Sequence, residues 1–443
     1  QGVDEAVRSH STITPALGSL TVSVPPGGHD LLLAVGEVAA LTSTFTFTSS
    51  YDGSLQQALL QLPLEYTGGS LLPLVIALHD WRVSPSEELY LIALAEAAAE
   101  RGWLFAAPEL HGEQPSDPPG GRALASRASQ YDIMDALAYM DAHYGVDPDR
   151  VYLVGRSMGG MIAATTAAKY PDRFAAVIDA VGTTDLATWY GESPLERQQE
   201  IAAECGGTPA QVGFEYERRS SLEMAGNLLP LPLALVHGEG DTTVPPHHAE
   251  DLYDAVQERG GEQIELFWHY GGHSAGGYGS RWQMDWLAKH ARSSAVPIRL
   301  DIRSDEPKSY FWLGIEQTGD EHWTAVQAEV MADTLMLLAT VTDPNPLRLT
   351  IDVAYAGLPP DIPYVVIVQD VNGGIRFHAT LTPTLGALAV DIPAGTHEVV
   401  MLGIAQGSTL ASVLEHAAML VGIPISELLP WGKELASEGP AEG

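Results

Sequence analysis

Three residues along this chain have the types and order that nucleophilic catalysis requires: Ser157, Asp241 and His273. A serine hydroxyl is a poor nucleophile at neutral pH. It needs a base within hydrogen-bond reach, and the base needs an acceptor that orients it. Ser157 lies in Val151-Tyr-Leu-Val-Gly-Arg-Ser-Met-Gly-Gly-Met161. The apolar run predicts a buried strand that stops at Gly155. A helical pattern starts at Met158 and continues through Ala163, Ala167 and Ala168. Gly155-x-Ser157-x-Gly159 therefore sits in a strand, sharp turn, helix context. Small residues are required there because the turn strains the serine backbone and side chains at Gly155 and Gly159 would collide with neighbours. The turn lifts the hydroxyl out at a helix N-terminus, where the dipole favours developing negative charge.

The acid candidate is Asp241, in Leu233-Ala-Leu-Val-His-Gly-Glu-Gly-Asp-Thr-Thr-Val-Pro245. A buried strand runs there into a Gly-rich turn, and ligands bind beyond such strand ends in open α/β sheets. Asp179 and Asp185 are the alternative acids. The base candidate is His273, in Phe267-Trp-His-Tyr-Gly-Gly-His-Ser-Ala275, on a Gly-rich loop after the last apolar strand. Its rivals are His269 inside that strand, His247 and His248 at a helix start, and His237, which is expected to brace the Asp241 turn. A tetrahedral intermediate also needs donors for its oxyanion. The Met158 N–H is one. The second is expected from His79-Asp80-Trp81-Arg82, with Trp81 N–H as the candidate.

The elements that must position these residues follow from periodicity. Residues 1–50 hold two alternating segments, 19–24 and 43–48, and read as an N-terminal β-rich piece. Residues 51–295 alternate between apolar strands and helices, which predicts an α/β domain with a mostly parallel sheet covered on both faces. Within it, 182–227 is less regular and is the candidate lid. Trp189 and Tyr190 there are candidates for stacking on an aromatic acyl group, or for packing the lid down. Residues 296–405 are all-β, with strands expected from 308 onward, the first over Lys308–Glu316, and separated by turn signals such as Asp343-Pro-Asn-Pro346. This predicts a β-sandwich in which Trp312 and Trp323 are core residues. Residues 406–443 are expected to form a helical and mobile tail.

Composition narrows the function classes. The 443 residues are 45% hydrophobic and carry a net charge of −35, which disfavours nucleic acid and anionic membranes as partners. No stretch approaches the ~20 apolar residues that span a bilayer. Cys205 is the single cysteine, so no intrachain disulfide and no cysteine-based metal site is expected. The chain opens on Gln1 without methionine, and the expected location is secreted or cell-surface.

Gly155-Arg-Ser-Met-Gly-Gly160, Leu235-Val-His-Gly-Glu-Gly-Asp-Thr-Thr-Val-Pro245 and Gly271-Gly-His273 together resemble the α/β-hydrolase superfamily over about residues 51–291. The similarity is greatest to the branch holding polyester depolymerases, feruloyl and acetyl esterases and prolyl-oligopeptidase-like hydrolases. The resemblance implies serine hydrolase chemistry with no metal and no organic cofactor. It makes Ser157 the nucleophile, His273 the base and Asp241 the orienting acid. That branch usually has His-Gly where this chain has His79-Asp80, a departure that reshapes the second oxyanion donor or places a carboxylate at the rim. The β region resembles accessory immunoglobulin-like domains. Peptidases of this type carry a large propeller that fifty N-terminal residues cannot build. The expectation is therefore a small-molecule or polymeric carboxylic ester as substrate, such as feruloyl or acetyl plant esters or a polyester. The alternatives are a prolyl-oligopeptidase-like peptidase and an inactive binding protein.

Overall fold

The computed structural model describes residues 40–114, 122–293, 295–319 and 321–422. The alternating segment at 19–24 lies outside them, as does the tail beyond 422. β1 (Ala40–Thr48) and β2 (Leu55–Pro63) pair antiparallel across a turn that contains Asp52-Gly53. Then follow β3 (Leu72–Leu78), α1 (Leu89–Glu100), β4 (Leu104–Pro108), α2 (Arg127–His143), β5 (Val146–Arg156), α3 (Met158–Lys169) and β6 (Ala176–Ala180). After a helical insertion come β7 (Leu233–Gly238), α7 (His247–Glu258), β8 (Ile264–His269) and α8 (Ser280–Leu287). The sheet order is β1-β2-β4-β3-β5-β6-β7-β8, antiparallel up to the β2–β4 pair and parallel from β4 onward. The expected mostly parallel sheet is thus present. The division placed after residue 50 falls inside the β1–β2 hairpin, because β1 is an edge strand of this sheet.

Alternation along the central strands builds two cores. On β3, Leu74, Ile76 and Leu78 face a core shared with α2, α3 and α7, while Val75 and Ala77 face a core with α1 and α8. On β5, Val151 and Leu153 join the first core, and Tyr152 and Val154 the second. Burial on both faces explains why these strands read as continuous apolar runs rather than alternating ones.

The candidate lid is helical: α4 (Leu186–Glu192), α5 (Leu195–Cys205), α6 (Gly213–Glu217) and a 3-10 segment, Ser221–Leu228. Trp189, Ile201, Cys205 and Tyr216 enter the same core as α3.

The C-terminal region consists of β9 (Arg299–Ser304), β10 (Lys308–Tyr310), β11 (Leu313–Glu316), β12 (Thr324–Met331), β13 (Met336–Asp343), β14 (Leu347–Asp352), β15 (Tyr364–Asp370), β16 (Ile375–Leu381), β17 (Ala387–Ile392), β18 (Gly395–Gly403) and α9 (Leu410–Val421). A four-stranded sheet, β10-β11-β14-β17, faces a six-stranded one, β16-β15-β18-β13-β12-β9, and both are antiparallel. Val366 and Met401 point between the sheets, while Val365, Ile367 and Val400 point outward against Leu414 and Ala417 of α9.

Three expectations are corrected. β9 was not expected: Arg299, Asp301 and Arg303 face outward and mask the alternation of Leu300 and Ile302. The strand expected over 308–316 is two strands, broken where Phe311 takes a φ of 52°. Trp312 is core, but Trp323 is only partly buried. It packs edge-on against Phe214 of α6, with Arg303 over its ring, and its Nε1 donates to Glu217 Oε2 at 3.0 Å.

The β region also reaches α3. Asp305 accepts from Lys169 Nζ on α3 at 2.6 Å and from Arg218 Nε at 2.8 Å, all three side chains being buried. Burial alone would raise the Asp305 carboxyl, but the two cations outweigh it and hold it well below the usual carboxylate range.

Candidate active site

β5 ends at Arg156 and α3 begins at Met158, so Ser157 alone makes the turn, with φ 55° and ψ −118°. Such a conformation costs a non-glycine residue on the order of 1–3 kcal/mol and persists only when the surroundings impose it. They do so here. Ser157 N–H donates to Ala180 O on the neighbouring strand at 2.8 Å. A Cβ on Gly155 would stand 2.0 Å from Gly159 O, and one on Gly159 would stand 2.2 Å from Leu78 O. The crossing of β3, β5 and α3 is therefore too tight for any other residue at these two positions.

The acid and base come from the loops after β7 and β8. Asp241 Oδ1 accepts from Thr243 N–H at 2.8 Å and Val244 N–H at 3.0 Å. Its Oδ2 faces His273 Nδ1 at 2.7 Å, and His273 Nε2 faces Ser157 Oγ at 2.8 Å. Serine, histidine and aspartate thus form one continuous hydrogen-bonded chain. Burial pushes the Asp241 carboxyl up. Hydrogen bonds from His237, His273 and Val244 N–H more than reverse this and hold it far below the usual range. It is therefore ionised at neutral pH, as an orienting acid must be.

The rivals have other tasks. His237 Nε2 donates to Val244 O at 3.0 Å and lies 3.5 Å from Asp241 Oδ2, bracing the turn as expected. His269 closes the His273 loop: Gly271 N–H donates to its Nδ1 at 2.9 Å, and its Nε2 donates to Ser274 O at 2.7 Å. Asp179 lies under the elbow, accepts from Gly182 N–H, and is pushed up to about 7 by burial. Asp185 caps α4 through the Ala187 and Thr188 amides.

The oxyanion side differs from the expectation. Met158 opens α3, where an amide has no intrahelical acceptor. Trp81 N–H, the expected second donor, is engaged instead: it donates to Asp80 Oδ1 at 2.6 Å. The cause is the residue that departs from the family pattern, since glycine at this position has no carboxylate to fold back. Asp80 Oδ2 accepts from Arg156 Nη2 at 3.1 Å, and Arg156 Nη2 also reaches Glu88 Oε1 at 3.3 Å. Glu88 Oε2 accepts from Asp80 N–H at 2.9 Å. Burial, with the nearby Asp80 charge, pushes Glu88 up to about 7 against that amide bond and Arg156. Beneath the loop, His79 is buried and its pKa is lowered by burial. As a neutral ring it donates from Nδ1 to Asp80 O at 2.9 Å and accepts Leu110 N–H at Nε2 at 3.1 Å.

Neither Glu88 nor Arg156 was singled out from the sequence. Arg156 stands inside the motif itself, which was the one available signal. Of the lid aromatics, Trp189 is only 5% exposed. Its Nε1 donates to Thr243 O at 2.8 Å and its edge meets Trp81 at 5.9 Å, so it ties the acid loop to the oxyanion loop instead of offering an open face. Tyr190 is partly buried and packs edge-on against Tyr216 at 5.8 Å.

Comparison with known proteins finds partial matches, the family match lying in the α/β part of the chain. An uncharacterized peptidase, YtmA, of Bacillus subtilis (strain 168) is 27% identical over 160 residues, 36% of this chain and 60% of that protein. Dipeptidyl-peptidase 5 of Porphyromonas gingivalis is 27% identical over 183 residues, 37% of this chain and 24% of that protein. The matches thus span less than two thirds of either relative. The solved acylaminoacyl peptidase of Pyrococcus horikoshii is 18% identical at a TM-score of 0.49, covering 58% of this chain and 43% of its own. Residues 95–293, which carry all three triad residues, match the model of the prolyl oligopeptidase family.

Proposed function

We propose that this protein is a serine hydrolase that turns over an acyl-enzyme on Ser157. The observation that carries the reading is the Ser157–His273–Asp241 chain at 2.8 and 2.7 Å, with Ser157 held at a positive φ on a helix N-terminus. His273 Nε2 takes the hydroxyl proton as Oγ attacks the acyl carbon, then returns it to the leaving group. Asp241 holds the ring in the Nδ1–H tautomer and stabilises the imidazolium. Water repeats the cycle on the acyl-enzyme. The Met158 amide is one oxyanion donor, and Trp81 N–H becomes the second when Asp80 Oδ1 turns away from it.

The substrate class we read first is a carboxylic ester, including feruloyl or acetyl esters and polyesters. An ester is more activated than an amide and depends less on a complete oxyanion hole, which suits a site whose second donor is covered. A peptide substrate is the second reading, favoured by the prolyl oligopeptidase family match and by both curated relatives being named peptidases. The β-sandwich is read as an immunoglobulin-like accessory module.

The test compares wild type and Ser157→Ala on p-nitrophenyl esters of increasing acyl length, methyl ferulate and a peptidyl anilide. Ser157→Ala is expected to lower kcat by on the order of 10⁴-fold or more. Ester turnover without anilide cleavage supports the first substrate reading, and the reverse supports the second. Failure of every substrate, together with failure of a fluorophosphonate to label Ser157, would overturn the hydrolase reading.

A further inference from the structure

We propose that Glu192, His247 and His248 form a binding site for a divalent transition-metal ion of the zinc class, clamping α4 onto the start of α7. The sequence reading expects no metal. Three features of the cluster point to one.

The first is convergence. Neighbouring residues on a helix diverge in direction by about 100°. Yet the His247 and His248 rings stack with centroids 4.5 Å apart and turn both Nε2 atoms toward one carboxylate. His247 Nε2 lies 2.7 Å from Glu192 Oε1, and His248 Nε2 lies 3.2 Å from Glu192 Oε2. One ligand atom from each of the three residues lies within 4.8 Å of the other two. Tetrahedral zinc with bonds of ~2.0–2.1 Å needs ligand atoms roughly 3.3 Å apart, so small side-chain movements suffice.

The second is the proton inventory. Both rings have their other nitrogen occupied by an outer partner. His247 Nδ1 donates to Asp251 Oδ2 at 2.9 Å. His248 Nδ1 stands 3.3 Å from Thr183 Oγ1, whose own proton goes to Asp185 O at 3.1 Å. Each ring is thus anchored from behind and turns its Nε2 to Glu192, where a proton on Nε2 can bridge to the carboxylate in the metal-free protein. A metal ion would displace that proton and take all three facing ligand atoms at once. An outer carboxylate or hydroxyl on each ring's Nδ1 is the arrangement that fixes histidine ligands in metal sites.

The third is ligand chemistry. Two imidazoles and one carboxylate suit zinc, cobalt, nickel or copper rather than calcium or magnesium. Glu192 and His247 reach solvent, which leaves room for water as a fourth ligand.

The site has structural leverage. α4 already holds the acid loop through Trp189 Nε1 and Thr243 O. Glu192, three residues further along α4, would grip the residues that follow that loop. Metal binding would thus fasten the helical insertion to the segment that carries Asp241.

The test uses the full chain after dialysis against a chelator. Zn2+ is titrated calorimetrically, Tm is measured with and without Zn2+, and Co2+ replaces Zn2+ to report the ligand set by its visible spectrum. One equivalent is expected to bind, with Tm rising by roughly 5 °C at a hundredfold excess over Kd and an intense tetrahedral Co2+ spectrum. Glu192→Gln and His247→Ala, both at partly exposed side chains, should each fold, keep the metal-free Tm within a few degrees and lose the Zn2+ shift. The site assignment is overturned if wild type binds no stoichiometric Zn2+, or if both variants keep the Tm shift and the Co2+ spectrum. An equal Tm shift with Mg2+ or Ca2+ would overturn the zinc-class assignment.

Discussion

The two sides of Ser157 are built on opposite plans. On the acid side, every polar atom has a partner that improves the chemistry: two amides and two imidazoles hold one carboxylate ionised. On the oxyanion side, two carboxylates share one guanidinium, and one of them covers the Trp81 amide proposed as the second oxyanion donor. The acid side is finished in the resting protein, whereas the oxyanion side must rearrange before it can work. Electrostatic preorganisation acts only where donors already point at the developing charge. By that measure the triad is preorganised and the oxyanion loop is not.

The sharpest way to break the comparison is Asp241→Asn. The amide can still accept from Thr243 and Val244 through oxygen, so the turn should survive. It cannot hold His273 in the Nδ1–H tautomer, and kcat is expected to fall about 10⁴-fold with little change in KM. Steady-state kinetics on a p-nitrophenyl ester measures this. A loss below tenfold would mean that another acid serves His273 and that the acid side is not the finished half.

Asp80→Gly acts on the unfinished half with a smaller effect and the opposite sign. It removes the carboxylate over Trp81 N–H while keeping the backbone amide that Glu88 accepts. One oxyanion donor is typically worth 10²–10³ in kcat. Freeing a partly covered one is expected to raise kcat about tenfold, and more on anilides than on esters. Comparing both substrate types in one preparation checks the sign. A fall on both would show that Asp80 holds the loop in place rather than blocking it.

What the sequence made legible follows the same divide. Ser157, Asp241 and His273 stand on strand ends, where buried apolar runs and forced glycines mark the backbone path. Their juxtaposition follows from sheet order alone. The oxyanion loop depends on where side chains fold back. Nothing in the spacing of Asp80, Glu88 and Arg156 states that they converge, since they come from three separate elements. The Asp80 departure was visible as a residue type, and its consequence only as a contact. In the β-sandwich, β9 carries only two apolar residues, Leu300 and Ile302, between Arg299, Asp301 and Arg303, so its period-2 alternation is weak in the sequence. Trp323 was misplaced because alternation marks a strand face but not whether another domain lies beyond it.

The smallest expected effect comes from Glu88, and it tests the comparison through pH. Asp241 is held low, so its contribution to stability is complete above the unfolded value near 4 and is lost as pH falls below it. Glu88 runs the other way. Its folded value of about 7 exceeds the unfolded value of 4.5, so the folded state keeps a proton that the unfolded state has released. Its contribution is present below 4.5 and is lost as pH rises through 7. Ionised Glu88 then competes with Asp80 for Arg156 and repels Asp80 toward Trp81. Glu88→Gln keeps the acceptor for Asp80 N–H and removes the titration. The Tm of wild type is therefore expected to drop between pH 5 and pH 8 by roughly 2–4 °C more than that of the variant. Parallel melting curves across that window measure it. Identical slopes would show that Arg156 neutralises Glu88 as fully as the amides and imidazoles neutralise Asp241. The two sides of Ser157 would then differ in geometry but not in charge.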